Sequence, residues 1–188
     1  PTAPTTGDIL PRLAKEDPKI AMKLILESKD QDAVFNQGGI DAMRLALPEA
    51  LASGKLSALE AYRLTNSATG SKANLGLNVL PYIWQGLSAE QLASAAKDIS
   101  AEPNERHHDT ALGGIASAWV KKDPAAAIAF ITAIKDPGLR EEIYSGCFTK
   151  RTGGKMNLSE MTGILESLPP EERALAYCGW AIAKGLLA

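Results

Sequence analysis

The 188-residue chain has few of the residues that mark several common classes of protein. Its two cysteines, Cys147 and Cys178, are too few and too far apart for a disulfide framework or a zinc motif, so two buried free thiols are expected. It also lacks any apolar run near the roughly 18 residues that span a bilayer, and we expect no membrane span.

A large excess of charge of either sign is missing as well. The chain carries 20 basic and 22 acidic residues, for a net charge of -2, and its pI is about 5.8. Non-specific nucleic-acid binding needs clustered positive charge, so no nucleic-acid partner is expected. With 45 % hydrophobic and 22 % charged residues, the composition is that of a soluble globular protein.

Catalytic signatures are absent too. There is no Gly-x-Ser-x-Gly nucleophile elbow, and no nucleophile motif surrounds either cysteine. We therefore expect no catalytic residues, no cofactor and no enzymatic activity.

Residues 1–6 are rich in Pro and Thr and without an initiator Met, which is typical of a linker or a processed end. The expected domain covers 7–188, and its compartment, cytoplasmic or extracytoplasmic, stays open.

The chain does contain an internal repeat. A large apolar residue stands four positions before a helix-capping residue in three places: Trp119 before Asp123-Pro124, Leu13 before Asp17-Pro18, and Trp84 before Ser88. Counting Ser57 and Ser159, five such caps lie 31 to 40 residues apart, which suits two-helix repeats. Asp and Ser accept hydrogen bonds from free N–H groups at a helix start, and Pro fits the first helical position.

This repeat predicts pairs of helices. The first helices of the pairs are predicted at about 17–28, 57–68, 88–99, 123–135 and 158–168, and the second at about 31–47, 71–85, 105–122, 138–151 and 170–186. Pro48 should end or restart one second helix, and Pro81 should kink another. Glycines shortly before large aromatic residues predict close contacts between helices. Four aromatic residues at matching repeat positions are predicted to pack in the core: Trp84, Trp119, Phe148 and Trp180.

The pattern resembles α-solenoid proteins of the HEAT and tetratricopeptide groups, and bacterial tandem repeats with a Trp-x3-Asp-Pro-x2-Ala motif. That motif is present as Trp119/Asp123/Pro124/Ala127 and, more weakly, as Leu13/Asp17/Pro18/Ala21. The expected fold is all-α: a right-handed α-solenoid of about five antiparallel hairpins. The resemblance implies a scaffold that binds a protein or peptide on a curved surface.

Two alternatives to a binding scaffold stay open, a structural spacer in a larger protein and a ligand- or metal-binding enzyme domain. The enzyme would use the region of Glu105, His107, His108 and Asp109. Adjacent histidines on a helix point about 100° apart and cannot both face one ion, so a solvated turn is favoured there and no metal is expected. The run 150–155 resembles a phosphate loop only faintly, because no strand precedes it.

Overall fold

The computed structural model describes residues 6–27, 37–67, 75–103, 107–148 and 158–183. Within these ranges the regular structure is helical and no β-strand occurs, so the predicted all-α class is confirmed. The α-helices follow in chain order: α1 (Thr6–Glu16), α2 (Pro18–Glu27), α3 (Gln37–Ala52), α4 (Ala58–Asn66), α5 (Leu75–Ile83), α6 (Ala89–Ser100), α7 (His108–Val120), α8 (Pro124–Ala133), α9 (Pro137–Phe148), α10 (Leu158–Ser167) and α11 (Pro170–Ala183).

Aspartate caps begin two of the predicted first helices. Asp17 Oδ1 accepts the backbone N–H of Ile20 at 3.0 Å at the start of α2. Asp123 Oδ1 accepts the N–H of Ala126 at 3.1 Å at the start of α8. In both helices the next residue is a proline at the first helical position, where its missing N–H costs nothing. The predicted starts are confirmed.

Serine capping boxes begin two others. At α4, Ser57 Oγ accepts the N–H of Glu60 while the Glu60 carboxylate accepts the N–H of Ser57. At α6, Ser88 and Gln91 form the same reciprocal pair. Each box satisfies N–H groups that have no partner inside the helix, and this fixes where the helix starts.

Two details of the predicted elements are wrong. Ser159 is the second residue of α10 and not its cap, since that helix already starts at Leu158. Pro48 lies inside α3, which continues to Ala52. The second helix predicted from about 138 begins one residue earlier, at Pro137, and Asp136 caps it by accepting the N–H of Gly138 at 2.8 Å. Pro81 is near the end of α5, which passes into a 3₁₀ turn at Trp84–Gly86.

The chain forms two compact units, residues 1–87 and 88–188. Helical arrays are modular, so two compact units are compatible with one repeat domain or with two domains. The single domain over 7–188 therefore stays a prediction. Helix α1 starts at Thr6, and residues 1–5 of the predicted linker lie outside the described ranges.

In the first unit, alternate helices pack against each other. Helix α3 contacts both α1 and α5, while α2 contacts α1 and α3, and α4 contacts α5. Small side chains let the first three helices approach: Ala14, Ala21 and Ala46 form a buried cluster with Leu13 against it. A tight contact also holds the 3₁₀ turn, because a Cβ on Gly86 would lie 2.9 Å from the carbonyl oxygen of Pro48.

The second unit shows the same alternation. Helix α9 contacts both α7 and α11, while α6 and α8 contact α7, and α10 contacts α11. Every residue from Ala111 to Val120 is buried, because α7 is covered by neighbours on several sides. A Cβ on Gly179 of α11 would meet Ser145 N at 2.8 Å and Glu141 O at 3.0 Å, so the predicted close approach is present there. Gly146 has room, with its nearest such contact at 3.9 Å.

The repeat aromatics differ in burial. Trp84 and Trp119 are buried, and the Trp119 ring lies 5.8 Å from that of Phe130. Trp180 is only partly buried, and its ring lies tilted against that of the exposed Tyr177, with 5.3 Å between the ring centroids, so Trp180 is less enclosed than predicted. The side chain of Phe148 lies outside the described residues.

Candidate functional site

An open groove lies between α2 and α4 in the first unit. It has a volume of about 400 Å³ and a mostly apolar surface. Ile20 of α2 and Leu64 of α4 supply apolar lining, and the remaining lining residues carry polar or charged ends: Lys19, Lys23, Glu60, Arg63 and Ser67. The helix starts described above place these side chains, because the Asp17 cap fixes α2 and the Ser57 capping box fixes α4.

The groove exposes apolar surface. Ile20 is 49 % exposed, and Leu24, one turn further along α2, is 47 % exposed. Residues four apart lie on the same face of a helix, so these two side chains form one apolar stripe. A single exposed Leu or Ile is ordinary. This pair lies beside a groove that Ile20 itself lines, and ligand-binding grooves are concave and mainly apolar.

The ion pair of Lys19 and Glu60 joins the two walls of the groove. Lys19 Nζ lies 2.8 Å from Glu60 Oε1. The other carboxylate oxygen of Glu60 accepts the backbone N–H of Ser57 at 3.0 Å and its hydroxyl at 2.9 Å. The hydrogen bond from Lys19, followed by those from Ser57, lowers the pKa of Glu60 to about 2. Glu60 therefore stays ionised at neutral pH, and it caps α4 while it contacts α2.

The predicted histidine site is organised differently from a solvated turn. His107 and His108 are both buried, and His107 adopts a left-handed backbone with φ of 68° at the N-cap of α7. The Nε2 atom of His108 lies 3.1 Å from the carbonyl oxygen of Ile99, in the last turn of α6. Its Nδ1 atom lies 3.3 Å from Asp109 Oδ1.

Through these contacts His108 connects two helices. The ring reaches the Ile99 carbonyl at the end of α6, which also accepts the backbone N–H of Glu102 at 3.0 Å, and so joins α6 to the start of α7. Glu105 lies outside the described residues, as does the run 150–155. Among the described residues, no three His, Cys, Asp or Glu side chains are grouped to hold a metal ion.

A buried polar cluster joins α9 and α11, and the sequence analysis missed it. Arg140 Nε lies 3.1 Å from Glu172 Oε1, and the Tyr144 hydroxyl donates to Glu172 Oε2 at 3.2 Å. Burial, then the Glu172 charge, raises the pKa of Tyr144, which keeps its proton to donate. Arg140 and Tyr144 are one turn apart, but no local signal connects them to a glutamate 28 residues beyond Tyr144. The cluster connects two packed helices.

The two cysteines have unlike surroundings, and both are free thiols. Cys147 is buried in α9, and its burial raises the pKa of the thiol to about 12. Cys178 is exposed on α11, so the expectation of two buried thiols is wrong for this residue. It follows the exposed Tyr177, on the side of α11 that none of the described helices covers closely.

Comparison with known proteins adds no assignment to this geometry. No family model, no curated protein and no solved structure matches the chain. In the described part of the chain, none of the helices combines the length and the apolar character that crossing a membrane requires. The groove between α2 and α4 is a feature of the described residues from which a function can be argued.

Proposed function

We propose that the chain is a non-enzymatic interaction module that binds a protein or peptide segment in the groove between α2 and α4. The observation that carries this proposal is the apolar stripe of Ile20 and Leu24 beside a groove of about 400 Å³. Ligand grooves are concave and mainly apolar, with a few polar groups at the edge that set orientation. Lys19, Glu60 and Ser67 are such edge groups here.

We further propose that the chain is a right-handed α-solenoid of about five hairpins and that the groove is part of its binding surface. Two observations support it: α3 packs on α1 and α5, and α9 packs on α7 and α11. When hairpins stack, each second helix lies beside the second helix of the next hairpin, and the first helices form a parallel row. Helices α2 and α4 are consecutive first helices, so their groove belongs to the surface that such a row offers to a partner.

Peptide display on the intact chain tests the proposal. A random peptide library is selected for binding, and the selected peptides are measured against the parent chain and against Ile20→Ser. We expect Ile20→Ser to weaken binding by about tenfold, because burying an Ile side chain contributes about 1.5–3 kcal/mol and Ser recovers little of it. Ile9→Ser is the matched control, since Ile9 is 47 % exposed on α1 and lies outside the groove.

Circular dichroism and thermal unfolding of both variants check that the fold is intact. Peptides that bind the parent chain and Ile9→Ser equally, but Ile20→Ser weakly, support the proposal. The groove is not the binding surface if Ile20→Ser binds every selected peptide as tightly as the parent chain does.

A further inference from the structure

We infer that the Lys19–Glu60 ion pair is a positioning contact that sets the separation of the two groove walls, α2 and α4. The consequence for binding rests on the proposed function, whereas the separation of the walls is testable without a ligand. Three observations lead to the inference: the place of the pair along the two helices, the packing of each wall, and the way in which α4 holds Glu60.

The pair lies at one end of the groove. Lys19 is the second residue of α2 and Glu60 is the third residue of α4, so their contact of 2.8 Å joins the first turns of the two helices. The lining residues Lys23 of α2 and Leu64 of α4 lie about one turn further along their walls, and Ser67 follows at the end of α4. The groove therefore extends from the ion pair towards the C-terminal ends of both walls.

Each wall packs closely on helices other than the opposite wall. Among the described residues, α2 packs on α1 and α3, and α4 packs on α5, while α2 and α4 are not closely packed on each other. Where two helices are closely packed, their interdigitated side chains fix the distance between them. Since this does not apply to the two walls, a direct contact between their side chains has a larger influence on their separation.

The capping box of α4 holds Glu60 in the orientation that the pair needs. Glu60 Oε2 accepts from Ser57 N at 3.0 Å and from Ser57 Oγ at 2.9 Å, while Oε1 accepts from Lys19 Nζ. An exposed ion pair contributes little when two long side chains must be ordered to form it. Here the capping box already orders one of them, so less conformational entropy is lost when the pair forms.

Capping alone does not require a carboxylate at this position. In the capping box of α6, Gln91 takes the equivalent place and accepts the N–H of Ser88 at 2.9 Å through its amide oxygen. Glutamine caps a helix in this way but forms no ion pair, so the charge of Glu60 serves the contact with Lys19. Glu60→Gln therefore separates the two contacts of this residue, because it keeps the cap and removes the charge.

Spin labels on the two walls measure their separation without a ligand. The labelled chain carries Leu24→Cys on α2 and Ser67→Cys at the end of α4, with Cys178→Ser to remove the exposed native thiol. The other native cysteine, Cys147, is buried and is left in place. Pulsed electron paramagnetic resonance gives the distribution of distances between the labels. We expect Lys19→Met to broaden this distribution, and Lys19→Arg, which keeps the cation, to restore it.

Salt should act on the labelled parent chain and not on Lys19→Met. Hydrogen bonds from Lys19, followed by those from Ser57, hold the pKa of Glu60 at about 2, so the pair stays charged at neutral pH. Raised ionic strength weakens an exposed pair, and the distance distribution of the labelled parent chain should broaden towards that of Lys19→Met. Lys97→Met removes an exposed lysine of the second unit and is the control, which should match the labelled parent chain at every salt concentration.

The peptides selected by display test the consequence for binding. Fluorescence anisotropy measures their affinity for the unlabelled chain, and circular dichroism verifies that each variant is folded. We expect Lys19→Met to weaken binding about twofold to fivefold, because walls held in place lose less entropy when a peptide binds. The double variant Lys19→Met/Glu60→Gln should bind no more weakly than Lys19→Met, because both changes remove the same contact. Lys19→Arg should bind like the parent chain.

The outcomes separate this inference from the proposed function. The inference is overturned if Lys19→Met leaves the distance distribution unchanged. It is also overturned if the losses of affinity from Lys19→Met and Glu60→Gln add in the double variant, since each side chain would then act on the peptide separately. If the distances respond as expected but Ile20→Ser binds every selected peptide as tightly as the parent chain does, the positioning contact is supported and the proposed binding groove is rejected.

Discussion

The Arg140–Glu172 pair between α9 and α11 predicts which of several substitutions lowers the free energy of unfolding most. Arg140 and Glu172 side chains are 18 % and 9 % exposed, so the pair is largely shielded from water. Arg140 also donates to the carbonyl oxygens of Ile134 at 2.6 Å and Lys135 at 3.3 Å, just after α8. The perturbation is Arg140→Met, which keeps most of the side-chain volume and removes the charge.

We expect Arg140→Met to lower the free energy of unfolding by roughly 3–5 kcal/mol. Breaking a buried pair from one side costs about that much, because the other charge is left without compensation. Among the described residues, Glu172 would keep the Tyr144 hydroxyl as its side-chain partner, and the carbonyls of Ile134 and Lys135 would lose the Arg140 side chain as a donor.

Glu172→Gln should cost less, about 1–2 kcal/mol. The amide still accepts from Tyr144, and Arg140 still donates to the two carbonyls. The double variant Arg140→Met/Glu172→Leu should be more stable than Arg140→Met alone, because it leaves no buried carboxylate without a partner.

Urea denaturation at neutral pH, followed by circular dichroism, measures these differences. Arg12→Met is the control, because Arg12 and Glu16 form an i,i+4 pair whose side chains are 81 % and 62 % exposed. Such a surface pair contributes about 0.3–0.5 kcal/mol. The reasoning is refuted if Arg140→Met costs no more than Arg12→Met, or if Glu172→Gln costs more than Arg140→Met.

Three further predictions use buried groups. Trp119→Ala should cost about 3–5 kcal/mol in urea denaturation, whereas Trp119→Phe should cost much less; a loss under about 1 kcal/mol for Ala would contradict the burial of the ring. Gly179→Ala should destabilise by about 1–3 kcal/mol, because backbone atoms lie 2.8 and 3.0 Å from the new Cβ, and an unchanged melting temperature would refute that close contact. The thiol of Cys147 has a pKa raised from 9.0 to about 12 in the folded chain, so the unfolded chain loses this proton first. The Cys147 contribution is therefore complete below pH 9.0 and is lost as the pH rises towards about 12, at up to about 1.4 kcal/mol per unit. Unfolding at increasing alkaline pH should show a shallower decline for Cys147→Ala, and the same decline as the parent chain for the exposed Cys178→Ala; equal slopes in all three chains would contradict it.

Helix positions could be predicted well where the signal is local. A cap residue and its partner three positions later are adjacent in sequence, so the starts of α2, α4, α6 and α8 follow from short-range hydrogen bonding. The same rule would have assigned Asp136-Pro137 as a helix start. Pro48 shows its limit, because a proline near a helix end can be tolerated when the helix is held by neighbours such as α1 and α5.

The candidate site was not predictable in the same way. The groove depends on the distance between α2 and α4, and the contact of Lys19 with Glu60 joins residues 41 positions apart. The burial of His107 and His108 depends likewise on where α6 ends relative to α7. The composition and the residue spacing of one sequence do not give distances between helices. The polar residues around His107 therefore suggested a solvent-exposed turn.

The alternate packing of helices in the second unit has a mechanical consequence. Helix α11 is held mainly by α9 and α10, whereas α9 is held by both α7 and α11. Force applied to the C-terminal end would therefore peel α11 away first, breaking the Tyr144–Glu172 and Arg140–Glu172 contacts while α6, α7 and α8 keep theirs. In a single-molecule pulling experiment, this unit should extend in successive small steps and not in one large release.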